Sequence, residues 1–211
     1  MKLAVYGAGG TIGRRITQEA LRRGHQITAV VRNPAWFEAG SPGVKVVQGD
    51  VLDPAGVAEA VAGHDAVISA VGPGQGRPEM LVDAARSLIQ GVKQAGVRRL
   101  VVVGGAGSLE VVPGVQLVDA PDFPAAWRAP ALAHRDALAV YRTSDLDWTY
   151  FSPAAIIEPG GRSGRYQTGA DRLLVDAKGE SRISAEDFAV ALVDELERPK
   201  HIRERITVAN P

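Results

Sequence analysis

The chain has 211 residues, with 24 Lys plus Arg balanced by 24 Asp plus Glu, no Cys, and 24 Gly, about 11% against a usual share near 7%. Zero net charge removes the basic footprint of a nucleic-acid binder and the cationic face of a membrane-surface protein. The missing Cys excludes disulfides and thiolate chemistry, and 45% hydrophobic residues without a Gly-X-Y period exclude collagen-like and disordered chains.

The first element, Leu3–Tyr6, reads as a short buried strand. No basic-then-apolar leader precedes it, and no apolar run approaches the ~20 residues that span a bilayer, so a cytoplasmic protein is expected. Thr11–Arg23 reads as a helix with Ile12, Ile16, Ala20 and Leu21 on one stripe, closed by Gly24. Ile27–Val31 and Val44–Val47 are the second and third strands, Pro54–Val61 a short helix and Asp65–Ala70 the fourth strand. Glu79–Ala95 is a strong helix ended by Gly96, followed by a fifth strand, Leu100–Val103. Gly104–Pro130 reads as a long irregular loop, of the kind that is usually functional or mobile. Ala131–Tyr141 is helical and Trp148–Phe151 is a sixth strand. Beyond it come a Gly/Arg loop, a strand near Leu173–Val175, a helix near Glu186–Leu196 and a last strand near Arg205–Val208.

Apolar strands alternating with helices predict an α/β fold, a doubly wound parallel sheet with helices on both faces. One domain over 1–211 is expected, a core of 1–151 with a small C-terminal elaboration over 152–211 on the substrate side.

Between the first strand and the first helix lies Gly7-Ala8-Gly9-Gly10-Thr11-Ile12-Gly13, a Gly-x-x-Gly-x-x-Gly turn. Gly7 permits the sharp turn, Gly10 lets backbone amides approach a pyrophosphate, and Gly13 lets the helix pack on the sheet. The helix start then offers free N–H groups and a positive dipole end to phosphates. The alternative is a structural turn without a ligand. The second strand ends in Arg32-Asn33, where an acid would bind a ribose 2′-hydroxyl and an Arg instead accommodates a 2′-phosphate. Arg32 therefore favours NADP(H) over NAD(H), with Arg14 as a second phosphate partner; both also read as ordinary surface charges. Asp50 and Val51 after the third strand are candidates for the adenine, or Asp50 merely caps the turn, as Asp53 caps the next helix. Ser69-Ala70-Val71-Gly72 places small residues where the cofactor passes. Ten glycines form three clusters after strands: Gly7, Gly9, Gly10, Gly13; Gly72, Gly74, Gly76; and Gly104, Gly105, Gly107.

Together with Val103–Leu109, Leu146–Ala154, Pro159-Gly160 and Ile183–Ala189, these motifs resemble atypical short-chain dehydrogenases along essentially the whole chain. The resemblance is to the bacterial NADH-flavin reductase-like group, near the biliverdin reductase B-like and NmrA-like branches. It implies that the fold is Rossmann-like, with a bound nicotinamide dinucleotide contacted also by Gly104 and Gly105, and with Ser152, Pro153 and Ala154 lining the nicotinamide pocket. One departure stands out. The family's Tyr-x-x-x-Lys pair is absent: if His134 holds the Lys position, Pro130 holds the Tyr position.

Without a phenol acid, hydride transfer to FMN or FAD as substrate demands less of the protein than carbonyl reduction. His134 is the candidate proton donor, or a ribose partner, or an exposed helix residue. Phe123 and Trp127 could stack on an aromatic acceptor or fill a satellite core. Arg162 and Arg165 could meet an anionic acceptor or be solvated. The alternatives are a non-catalytic NADP(H)-binding redox sensor of NmrA-like type and a sugar-nucleotide epimerase or dehydratase. No metal-ligand spacing is present, and no nucleic-acid or membrane partner is expected. A monomer or homodimer acting on a small-molecule acceptor is.

Overall fold

The computed structural model describes residues 1–37, 43–74 and 77–211. Gly76 of the second glycine cluster lies outside the described residues.

Each strand of the sheet alternates its side chains between two cores, so each helix can bury one apolar stripe against it. In β1 (Lys2–Tyr6), Leu3 and Val5 face one side while Ala4 and Tyr6 face the other. The first side is covered by α1 (Thr11–Arg22), through Ile16 and Ala20, and by α5 (Ala185–Glu197), through Phe188, Leu192 and Leu196. The second is covered by α2 (Pro54–Val61), α3 (Met80–Gln94) and α4 (Ala125–Arg142). Their buried residues include Val57, Leu88 and Leu138. Gly24, at φ 81°, closes the turn after α1 in the left-handed region that glycine adopts without strain.

The remaining strands of the main sheet are β2 (Gln26–Val31), β3 (Val44–Gln48), β4 (Ala66–Ser69), β5 (Arg99–Val103), β8 (Asp147–Pro153), β10 (Gln167–Gly169) and β12 (Glu204–Ala209). Their order is β10-β12-β8-β5-β4-β1-β2-β3. All neighbouring pairs are parallel except β10 with β12. The order reverses between β1 and β4, which places a crevice at their carboxyl ends.

Three parts differ from the sequence expectation. Gly104–Pro130 is not irregular throughout: it holds a hairpin of β6 (Glu110–Val112) and β7 (Val115–Gln116), and α4 begins at Ala125. Pro130 sits inside that helix, where it removes one backbone bond to the carbonyl of the exposed Ala126. Leu173–Val175 forms no strand. Its Leu174 packs on the core while β10 supplies the pairing with β12. The C-terminal segment is woven into the sheet, since β12 lies beside β8 and α5 packs on α1. It also adds a small parallel pair, β9 (Ile156–Glu158) with β11 (Arg182–Ser184).

Candidate cofactor-binding site

The crevice is built around Gly7. Its φ of 76° turns the chain sharply off β1, and a Cβ there would collide with the Ala70 carbonyl after β4. A Cβ on Gly13 would collide with the Gly7 carbonyl, so the first turn of α1 lies directly on the loop. Gly10 donates its N–H to the Gly7 carbonyl at 3.0 Å and forms the N-cap of α1. No side chain caps the helix and no acid occupies its first turn. The amides of Thr11, Ile12 and Gly13 thus begin a helix whose first turn carries no anion among the described residues. Gly9, Gly10 and Thr11 are exposed, and the position of a Gly72 Cβ is open space. A narrow turn, uncapped amides and a clear rim fit a pyrophosphate.

Phe37 lies 3.6 Å from where a Gly9 Cβ would stand and walls the crevice on the β2 side. Its contribution is not visible in sequence, because only the fold brings it across the glycine turn. Arg32 and Arg14 are both exposed, and neither forms an ion pair among the described residues. Asn33 accepts the Ala35 amide at 3.1 Å and caps a single 3-10 turn. Asp50 accepts the Leu52 amide at 2.9 Å, and Asp53 the Ala55 amide at 3.1 Å at the start of α2. The turn-capping reading of Asp50 therefore holds in this structure. Val51 is buried in the core with Tyr6 and Val57.

At the opposite end of the crevice the site residues close on one another. A Cβ on Gly104 would run into the Tyr150 ring, and one on Gly105 would lie 3.0 Å from the His134 side chain. These two glycines make room for protein neighbours first. The Tyr150 hydroxyl donates to the His134 carbonyl at 2.8 Å, and the His134 Nδ1 lies 3.2 Å from the same hydroxyl. Burial pushes the imidazole down to about 4, so His134 is neutral at pH 7 and holds no imidazolium proton to give. Burial likewise pushes the Tyr141 and Tyr150 phenols far up. Tyr141, Tyr150, His134 and Ser69 border a cavity of about 10 Å³, enough for roughly one water.

Ser152, Pro153 and Ala154 do not reach an open rim. The strand β8 continues to Pro153 between β5 and β12, which leaves Ser152 at 0% and Ala154 at 1% exposure. The Ser152 hydroxyl has no hydrogen-bond partner among the described residues. Arg162 is occupied elsewhere: it donates to Glu19 at 2.8 and 2.9 Å. Trp127, in the first turn of α4, is 66% exposed and belongs to no satellite core. Phe123 is half-buried beneath the Arg128 guanidinium, 6.0 Å from the ring centre. Among the described residues no group of three metal-ligating side chains occurs, and no helix is long and apolar enough to cross a membrane.

A model of the family described as NAD(P)H-binding matches residues 7–199. An uncharacterised Bacillus subtilis protein, YwnB, is 41% identical, covering 100% of this chain and 99% of its own. A Burkholderia pseudomallei structure described as a candidate exported protein is 54% identical, with TM-score 0.91 over 99% of both chains. A candidate epimerase from Bacteroides thetaiotaomicron is 41% identical, with TM-score 0.91 over 99% of this chain and 96% of its own. A candidate NADH-flavin reductase from Streptococcus pneumoniae is 37% identical, with TM-score 0.85 over 100% of both.

Proposed function

The chain belongs to the NAD(P)H-binding family, and from that premise we propose that it is an NADPH-dependent reductase whose acceptor is a flavin or a similar planar aromatic molecule. The observation that carries the reading is the pairing of an open, uncapped phosphate cradle at Gly7–Gly13 with a far end where the Tyr-x-x-x-Lys pair is absent and the phenols present, Tyr141 and Tyr150, are buried. If His134 holds the Lys position of that pair, Pro130 holds the position of the acid, and His134 is neutral. When bound, the cofactor supplies a hydride from its nicotinamide ring, the part of the chemistry that the protein need not provide. The amides of Thr11, Ile12 and Gly13 hold the pyrophosphate. Arg32, helped by Arg14, meets the 2′-phosphate, and this underlies the preference for NADPH. Ala70, Val71 and Gly72 form the rim along which the dinucleotide extends.

A flavin suits such a site because its ring takes a hydride by close stacking alone, with its proton drawn from water. The similarity to a candidate NADH-flavin reductase supports the acceptor class. A cytoplasmic location, where NADPH is supplied, is part of the proposal.

The test is anaerobic mixing of the protein with NADPH and free FMN. Flavin bleaching well above the uncatalysed rate is expected. Tight NADPH binding without bleaching would favour a second reading, a redox sensor that binds the dinucleotide and transfers nothing. The same lack of a phenol acid at Pro130 supports that reading, and it weighs against epimerase chemistry.

A further inference from the structure

The contact between His134 and Tyr150 fixes more than position. A phenol carries one hydrogen, and the Tyr150 hydroxyl spends it on the His134 carbonyl, which can only accept. The second contact, from the same oxygen to the His134 Nδ1, therefore needs its hydrogen from the imidazole. Nδ1 must carry N–H, and in a neutral ring Nε2 is then a bare lone pair. Nε2 has no partner among the described residues. The ring lies beside Gly105, past the carboxyl end of β5, on the edge where a dinucleotide extends.

We propose that Tyr150 is a positioning residue that locks His134 in the Nδ1–H form, and that Nε2 thereby serves as a hydrogen-bond acceptor for a hydroxyl of the ligand's nicotinamide-side ribose. The ligand half of this inference rests on the proposed dinucleotide binding; the tautomer half does not.

Two further observations support it. Burial keeps the Tyr150 phenol protonated at every ordinary pH, so its hydroxyl always donates. The Tyr150 ring is clamped by Gly104, where any side chain would collide, and by Tyr141 at a ring distance of 5.9 Å. The hydroxyl is thus held at one place, and the imidazole must answer to it. A lysine at this helix position would be a donor; His134 instead accepts. It replaces a fixed charge with a lone pair, and it removes His134 from the role of proton source.

The test is nitrogen NMR of protein labelled with ¹⁵N-histidine at neutral pH, with His134 assigned by its loss in His134→Gln. The expected spectrum gives His134 a pyridine-type resonance at Nε2 and a pyrrole-type resonance at Nδ1. Tyr150→Phe should move the ring to the ordinary mixture dominated by Nε2–H and weaken NADPH binding about fivefold, the value of one ordinary hydrogen bond. A wild-type ring already protonated at Nε2 overturns the inference, as does a Tyr150→Phe ring that stays Nδ1–H. If Tyr150→Phe fails to fold, the wild-type spectrum still decides the tautomer. The ligand half is read by adding NADPH or adenosine 2′,5′-bisphosphate, which lacks the nicotinamide half. Nε2 should shift with NADPH and not with the bisphosphate. Both probes bound with Nε2 unmoved by either would overturn the acceptor role. Neither probe bound would instead overturn the proposed dinucleotide site and leave the tautomer result standing.

Discussion

Two glycines three residues apart should fail in different ways. At Gly10 an added Cβ meets only the Gly7 carbonyl, at 3.4 Å, and the backbone φ of −73° is one that alanine adopts freely. Gly10→Ala should therefore change folding stability by no more than about 0.5 kcal/mol. Its methyl group, however, would occupy the exposed mouth of the turn, where a pyrophosphate must touch backbone amides. Forcing that ligand outward costs about 1–3 kcal/mol, a loss of between about 5-fold and about 150-fold in affinity. At Gly13 the added Cβ would collide with the Gly7 carbonyl, so α1 must lift from the loop. Gly13→Ala should lose about 1–3 kcal/mol of stability as well as affinity. Urea unfolding at pH 7 and titration with NADPH, followed by its fluorescence, measure the two quantities separately. A Gly10→Ala protein that binds NADPH as tightly as the parent would refute the placement of the pyrophosphate at this turn.

Glu19 is 5% exposed, and its hydrogen bonds from Arg162 and Arg23 hold its carboxyl down to about 2 from an ordinary 4.5. The interval corresponds to roughly 3 kcal/mol, reduced to about 2 because Arg162 is partly solvated. That stability is fully present above pH 4.5 and is lost as pH falls from about 4.5 to about 2. Urea unfolding should show Glu19→Gln to be less stable by this amount at pH 7, with the gap closing towards pH 2; a constant gap would remove the ion cluster as its source. Arg32→Asp should reverse the preference for NADPH over NADH, by about tenfold or more in the ratio of dissociation constants; an unchanged ratio would contradict the role of Arg32. Because His134 titrates at about 4, a ¹⁵N-histidine titration should show no change in its ring between pH 6 and pH 8.

The parallel strands and the glycine turn were legible because their signals are local. Each strand is a short apolar run, and Gly7, Gly10 and Gly13 sit where the turn's own backbone demands them. The start of α4 was hidden by Pro130, which reads as a helix breaker although the carbonyl it leaves free belongs to an exposed residue. β10 escaped notice because Gln167–Gly169 carries no apolar pattern and is held by pairing with β12, 38 or more residues downstream. The partners that define the far end of the site are also distant in sequence. Tyr150 meets His134 across 16 residues, and Arg162 meets Glu19 across 143. Composition could name Arg162 as a cation but could not place it against a buried carboxylate instead of an acceptor. The place of Ser152 at the pocket rests on the family resemblance alone, and no local signal shows that the strand runs on to Pro153 and buries it.

Under the proposed function this chain holds NADPH and passes its hydride to a flavin. The most direct measurement follows FMN bleaching anaerobically with NADPH carrying deuterium at one or the other face of nicotinamide C4. A cofactor fixed in the Gly7–Gly13 crevice presents a single face to the acceptor, so one isotopomer should slow the reaction and transfer its label while the other does neither. Equal behaviour of the two isotopomers, at the rate seen without protein, would contradict it.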